Sequence, residues 1–288
     1  MTEKPFVAKT GVFAEIELFI KTYKLASIGG MIVLVFIIFA VFAPIIATHD
    51  PDQMNLRNPL EAPGRQFLLG TDYSGRDLFS RIVFGARISL FISVASVILG
   101  SSIGIVLGMI AGWFKSMEML IMRCMDIMLS FPSIIIALTI ISILGTGIQN
   151  VILAIAIYNI PVFARIAYGQ TLSIKTITYI EAAISVGAQD GRILFRHILP
   201  NIIAPIIVQF TLVIPSAIML TAGLSFLGLG VMPPTAEWGN MLQDSLRWAS
   251  KGPHLMLFPG MALLLVVFGF NTFGDGLRVA LDPRMRNR

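Results

Sequence analysis

The residues of this chain best placed to do chemistry lie between two uncharged apolar stretches: Glu181-Ala182-Ala183, then Gly187, then His197-Ile198-Leu199-Pro200-Asn201. The chemistry they suit is recognition rather than catalysis. The segment is short, polar and basic, with Lys175, Arg192 and Arg196 around it, and such a plug suits docking against a partner protein. Catalytic groups are hard to assemble elsewhere. His49, His197 and His254 are isolated, no nucleophile or metal-ligand spacing accompanies them, and the lone Cys124 can form no internal disulfide. No GxxxxGK[ST] loop occurs, which excludes an ATPase on this chain. A membrane enzyme is therefore the weakest of three readings, behind a stand-alone carrier and a subunit driven by a partner.

The elements that must position this segment are membrane spans. Of 288 residues, 56% are hydrophobic and 13% charged, far from the balance of a soluble domain. The gaps between charged or His residues run Leu25–Thr48, Ile88–Phe114, Ile127–Ala164, Ile198–Ala236 and Leu255–Gly274. About 20 helical residues cross the hydrocarbon core. The third gap is long enough for two spans and breaks at Gly145-Thr146-Gly147-Ile148-Gln149-Asn150, where the chain can reverse. Six spans result.

Lys and Arg are retained on the cytoplasmic side. Under six spans, fourteen of them fall with the two tails and the even-numbered loops, among them Lys4, Lys9, Lys115, Arg192, Arg196 and Arg284. Seven fall on the other side, five of them in a first loop that also carries Asp50, Asp52, Glu61, Asp72 and Asp77. Both termini are expected in the cytoplasm. The mixed-charge N-terminus is no cleavable signal, and Leu25–Thr48 is expected to stay as an anchor. A net charge of +5 gives no reason to invoke nucleic acid.

None of the six spans carries an ionisable residue at its centre, where ion-coupled carriers place theirs. Asp126, three residues after Arg123 near the inner end of the third span, reads as a structural ion pair. Energy for active transport must come from outside the chain. Gly100, Gly104, Gly108 and Gly112 recur every four residues, a spacing that lets a second helix approach closely. Internal packing and a subunit interface or gate seam both fit that stripe. Pro132, Pro161, Pro205, Pro215 and Pro259 lie in or beside the later spans and can kink them. Asn159, Gln209, Ser216 and Thr221 are polar residues that either line a path or bond between helices. Trp238 and Trp248 are expected at the membrane interface.

Within the polar segment, helix-compatible residues run from about Ser173 to Val186, and Gly187 offers the left-handed stop. A second short amphipathic helix is predicted over Gln189–Ile198, lying on the membrane surface, with Arg192 and Arg196 on one side and Ile193, Leu194 and Phe195 available to another. Pro200, lacking an amide hydrogen, fits the first turn of the next span.

Glu181-Ala182-Ala183, Gly187 and Leu199-Pro200 resemble the EAA loop of permease subunits of ABC importers, with that family's spacing. His197 stands where many such permeases carry an aliphatic residue, and His-Ile-Leu-Pro-Asn is similar to the peptide-importer branch. Further blocks resemble the C-type subunit of dipeptide, oligopeptide and nickel importers. They are Leu69-Gly70-Thr71-Asp72 with Gly75-Arg76-Asp77, Phe131-Pro132, Leu224 to Gly230, Glu237-Trp238-Gly239, and Gly274 to Arg278 with Leu281-Asp282-Pro283. The resemblance implies an all-α polytopic protein of the type I importer permease fold in the bacterial or archaeal cytoplasmic membrane. Its organisation would be a tail over 1–24, a first helix over 25–48, an external loop with a short helix over 49–87, a five-helix core over 88–281 holding the coupling loop 173–200, and a tail over 282–288. It implies a homologous B-type permease, two ATPase subunits that bind the ATP and magnesium, an extracytoplasmic binding protein, and surrounding lipid. Glu181, Ala182, Ala183 and Gly187 would couple to the ATPases, with Arg192, Phe195, His197, Leu199 and Pro200 beside them. No cofactor is implied on the chain itself. The substrate class implied is a di- or oligopeptide, with nickel, a metallophore or glutathione as alternatives within the family.

Overall fold

The computed structural model describes residues 20–281. The tail residues Lys4, Lys9, Arg284, Arg286 and Arg288 and the tail 282–288 therefore lie outside the described residues. The chain is almost wholly helical: α1 Lys24–Val41, α2 Ala43–Ile46, α3 Leu78–Trp113, α4 Lys115–Leu129, α5 Ser133–Leu144, α6 Ile148–Lys175, α7 Thr178–Ser185, α8 Asp190–Phe226, α9 Trp238–Ser245 and α10 His254–Leu281. Among the described residues, α1, α3, α6, α8 and α10 are each long and apolar enough to cross a membrane, and α4 with α5 makes a sixth if the bent pair counts as one span.

The centre of the bundle is the crossing of α3 on α6. A methyl group at Gly100 would lie 2.5 Å from the Ala156 carbonyl oxygen, and one at Gly104 or Gly108 would fall on the carbonyls of Ile160 or Ala164. At Gly112 it would meet the Thr171 side chain at 2.7 Å and the Tyr168 carbonyl at 3.2 Å. Four glycines one turn apart on α3 thus receive four carbonyls one turn apart on α6, so the backbones touch where side chains would normally separate them. The stripe is internal packing. A second close crossing joins α1 to α10, where Gly29 leaves room for Gly269 and Thr272.

Three boundaries and one ion pair differ from the sequence expectation. The second span begins at Leu78, ten residues ahead of the charge-free gap, because Asp77 caps α3 by accepting from the Ser80 amide at 2.9 Å. Residues 78–87 are therefore the start of α3, and none of the long helices begins in the 49–77 loop. The third span is bent by 94° between α4 and α5. Pro132 disfavours helical backbone at Phe131 and has no amide to donate, which parts the two helices at Ser130-Phe131-Pro132. Asp126 pairs with Arg165 of α6 at 2.6 Å rather than with Arg123. Finally, residues 190–198 form no separate surface helix: they continue into α8 through a wide π-type turn over Ile193–Ile198. Pro200 cannot donate to the carbonyl four residues back, and the widened turn accommodates that missing bond.

Candidate coupling site

The surface helix of the polar segment is α7 itself. Glu181, Ala182 and Ala183 sit in its middle, supported by favourable helix propensity. Its end is a complete Schellman motif: the Gly187 amide donates to the Ile184 carbonyl at 2.9 Å and the Ala188 amide to the Ala183 carbonyl at 3.0 Å. Gly187 has φ +79°, and no atom lies within 4 Å of where its Cβ would be, so glycine is needed there for conformation and not for space. Ile180 is fully buried and pins α7 to the bundle. The opposite side is bare: Glu181 and Ala182 are exposed, and so are Ile177, Ile184 and Val186, the last at 84%.

The start of α8 borders this surface. Ile193, Leu194 and Ile198 are buried, whereas Arg192, Phe195, Arg196 and Pro200 are exposed and His197 and Leu199 are half-buried. The expected two-sided segment is present on a helix that runs into the membrane, except that Phe195 lies on the exposed side with Arg192 and Arg196 rather than with Ile193 and Leu194. Asn201 clasps α7 to it, its Nδ2 donating to the Tyr179 hydroxyl at 3.0 Å and to the His197 carbonyl at 2.6 Å. The His197 ring lies 6.3 Å from that of Tyr179. Lys175 and Asp190, which flank α7, both reach Trp113 at the end of α3. Tyr179, Trp113 and Asp190 carried no signal in the sequence beyond an aromatic or an acid in the right region.

At the other end of the bundle, the blocks 69–81 and 237–245 fold together. Asp72 accepts from Arg76 Nε at 2.6 Å and lies 3.7 Å from Arg81 Nε, and all three are buried. Tyr73 donates to Asp244 at 3.4 Å and stacks on Trp248. Burial raises the Asp244 carboxyl above its usual range, against the opposing pull of Arg76 and Arg81. Glu237 is fully buried, accepting from Ser89 Oγ at 3.1 Å and from the Asn240 amide at 3.0 Å. Burial raises its carboxyl too, with those hydrogen bonds pulling the other way. Trp238 is fully buried, filling the notch left by Gly85 and donating to the Ile82 carbonyl at 3.1 Å, so it is no interface anchor. Of the polar span residues, Asn159 and Thr221 are buried inside the chain, and Ser216 is exposed and bonds back to the Val213 carbonyl.

Long apolar helices around a glycine-packed centre, with one bare helix presented between α6 and α8, define a multi-pass membrane protein with a surface suited to a partner. Residues 104–287 match the family of binding-protein-dependent transport system inner membrane components, and residues 20–63 match the N-terminal membrane domain of oligopeptide transport permease C. The chain belongs to this family of ABC importer permeases and is a protein of the cytoplasmic membrane. It is 46% identical to the dipeptide transport system permease protein DppC of Alkalihalophilus pseudofirmus, over 93% of this chain and 88% of that one. It is 44% identical to the glutathione transport system permease protein GsiD of Pectobacterium atrosepticum, over 91% and 88%. Among solved structures, an inward-facing MetNI methionine ABC transporter shares the fold, with a TM-score of 0.57 at 20% identity over 69% of this chain and 96% of that one.

Proposed function

We propose that this chain forms half of a peptide translocation pathway and that α7 is the element through which ATPase subunits drive it. The observation that carries the reading is the bare, Schellman-capped helix bearing Glu181, held between α6 and α8 and exposing Ile184 and Val186. In this reading a groove on each ATPase receives such a helix, here and on a homologous partner permease. ATP and magnesium are held by those subunits, and closure of the ATPase pair moves α7 as part of a two-state rigid-body change. Glu181 and Gly187 transmit the movement, while Arg192, Phe195 and His197 border the contact. A binding protein delivers substrate at the opposite end.

The α7 end lies in the cytoplasm in this reading. Arg76 and Arg81, two of the seven basic residues at the far end, are committed to a buried ion network, which removes them from the charge balance that orients the chain. Kinship with a dipeptide permease supports a di- or oligopeptide substrate, and kinship with glutathione permeases supports glutathione, itself a modified tripeptide, as the second reading. The test is uptake in a strain lacking the chain, comparing radiolabelled dipeptide, a longer peptide, glutathione and nickel. Wild type restores uptake of one of them and Glu181→Lys does not. Equal restoration by both forms would refute the coupling role of α7.

A further inference from the structure

We propose that Trp113 is a positioning residue that straps both ends of α7 to the rigid centre of the bundle, so that displacement of α7 moves α6 and α8 together. The inference rests on the reading of α7 as the driven element and adds a residue that the EAA segment does not contain. The two residues that bracket α7 and its hinges are Lys175, the last of α6, and Asp190, the first of α8. Both converge on one residue, Trp113. Lys175 Nζ donates to the Trp113 carbonyl at 2.6 Å and lies 5.1 Å from the indole centroid. The indole Nε1–H donates to Asp190 Oδ1 at 2.9 Å.

Each contact answers a local need. Trp113 is the last residue of α3, so its carbonyl has no partner within the helix and carries part of the negative end of the helix dipole; an ammonium suits it. Asp190 opens α8, where a carboxylate suits the positive end. Trp113 is 8% exposed, so the indole side of each contact is buried, while Lys175 is half-buried and Asp190 exposed. What makes the arrangement mechanical is its connection to the glycine stripe: Gly112, the residue before Trp113, packs on Thr171 of α6. Trp113 therefore stands on the α3–α6 body and reaches across to α8. Without that reach, Thr176-Ile177 on one side and Val186 to Gln189 on the other would absorb a push on α7 as hinge motion.

The variants are Trp113→Phe, which keeps an aromatic ring and the backbone carbonyl but loses the N–H together with the five-membered half of the indole; Asp190→Ala, which leaves the indole whole and loses the acceptor; and Asp190→Asn, which keeps an acceptor oxygen. Hydrogen exchange of this chain in detergent reads the strap without any partner. Amides of 178–185 exchange roughly tenfold faster in Trp113→Phe and Asp190→Ala and at the wild-type rate in Asp190→Asn. In proteoliposomes holding the chain with its co-purified partners, substrate transported per ATP hydrolysed falls by about fivefold or more in the first two variants and not in the third. Complex yield and ATP affinity stay unchanged. Wild-type exchange in Trp113→Phe overturns the strap, and faster exchange with an unaltered transport ratio overturns its role in coupling. If wild-type proteoliposomes show no ATP-dependent uptake, the driven-permease reading fails instead, and the exchange measurement still decides the strap.

Discussion

Replacing Gly104 with alanine tests the backbone contact on which the bundle is built. A Cβ at residue 104 would stand 3.0 Å from both the Ala164 amide nitrogen and Phe163 Cβ, and nearer still to the Ile160 carbonyl oxygen. Two of those three atoms are backbone, so no rotamer change relieves the clash and α6 must back away. Overpacking of this kind costs about 1–3 kcal/mol. Retreat of α6 also loosens the contacts at Gly100 and Gly108. Against this, alanine is favoured over glycine within a helix by up to about 1 kcal/mol. A net loss of up to about 2 kcal/mol remains.

Gly169 supplies the control, because it lies on α6 yet no atom comes within 4 Å of its missing Cβ. Gly169→Ala collects the propensity gain without the clash. The two variants should differ by the overpacking cost of about 1–3 kcal/mol, which at roughly 2–4 °C per kcal/mol separates their melting temperatures by about 2–12 °C. Thermal unfolding of the purified chain in one detergent, followed by size-exclusion, measures the gap. Coincident melting curves for Gly104→Ala and Gly169→Ala would refute the claim that the stripe is a load-carrying backbone contact.

Three further substitutions probe the ends of the bundle. Arg76→Met leaves the buried Asp72 with two backbone amide bonds and the longer Arg81 contact and should destabilise the chain by about 3–5 kcal/mol, with Asp72→Ala on top costing less than the sum, as measured by a double-mutant melting cycle. Glu237 is held above its unfolded pKa by burial, so its contribution to stability is complete below the ordinary glutamate value of 4.5 and is lost as pH rises through the folded pKa. Glu237→Gln should remove that part of the pH slope of the melting temperature, and an unchanged slope would count against the buried carboxyl. Gly187→Ala puts a side chain at φ +79°, a strain of about 1–2 kcal/mol confined to the end of α7. ATP-driven uptake should fall while the melting temperature of the bundle holds, and a matching loss of both would place Gly187 in the fold rather than in coupling.

Much of the fold was legible in the sequence because burial in lipid leaves few ways to satisfy a backbone. Charge-free runs of sufficient length located the spans, and glycines one turn apart announced a close crossing, although only the structure shows that α6 is the partner. That Pro132, among the five prolines able to kink a span, marks the sharp bend was not legible. Pro161, Pro215 and Pro259 look the same in sequence, yet they are buried within continuous helices whose neighbours hold them, whereas Pro132 is exposed with Phe131 beside it. Trp238 misled for a related reason: the notch that buries it is made by Gly85, far away in the chain.

The two ends of the bundle differ in the sequence distance over which they are encoded, and that distance decides what can be read. The α7 cap is closed by bonds spanning three and five residues, between Ile184 and Gly187 and between Ala183 and Ala188, so residue order alone specifies it. The far end is closed by Ser89 to Glu237 and Trp238 to Ile82, separations of 148 and 156 residues. Before folding, Asp72, Arg76 and Glu237 are indistinguishable from solvated loop charges, and only the return of the chain after α8 makes them a buried network. Trp113 combines both cases. Its place at the end of α3 is local, but its meaning depends on Asp190, 77 residues later, arriving at the indole nitrogen. A motif therefore marks the surface where a partner docks, while the residues that make such a surface act on the rest of the molecule are found only once the helices are assembled.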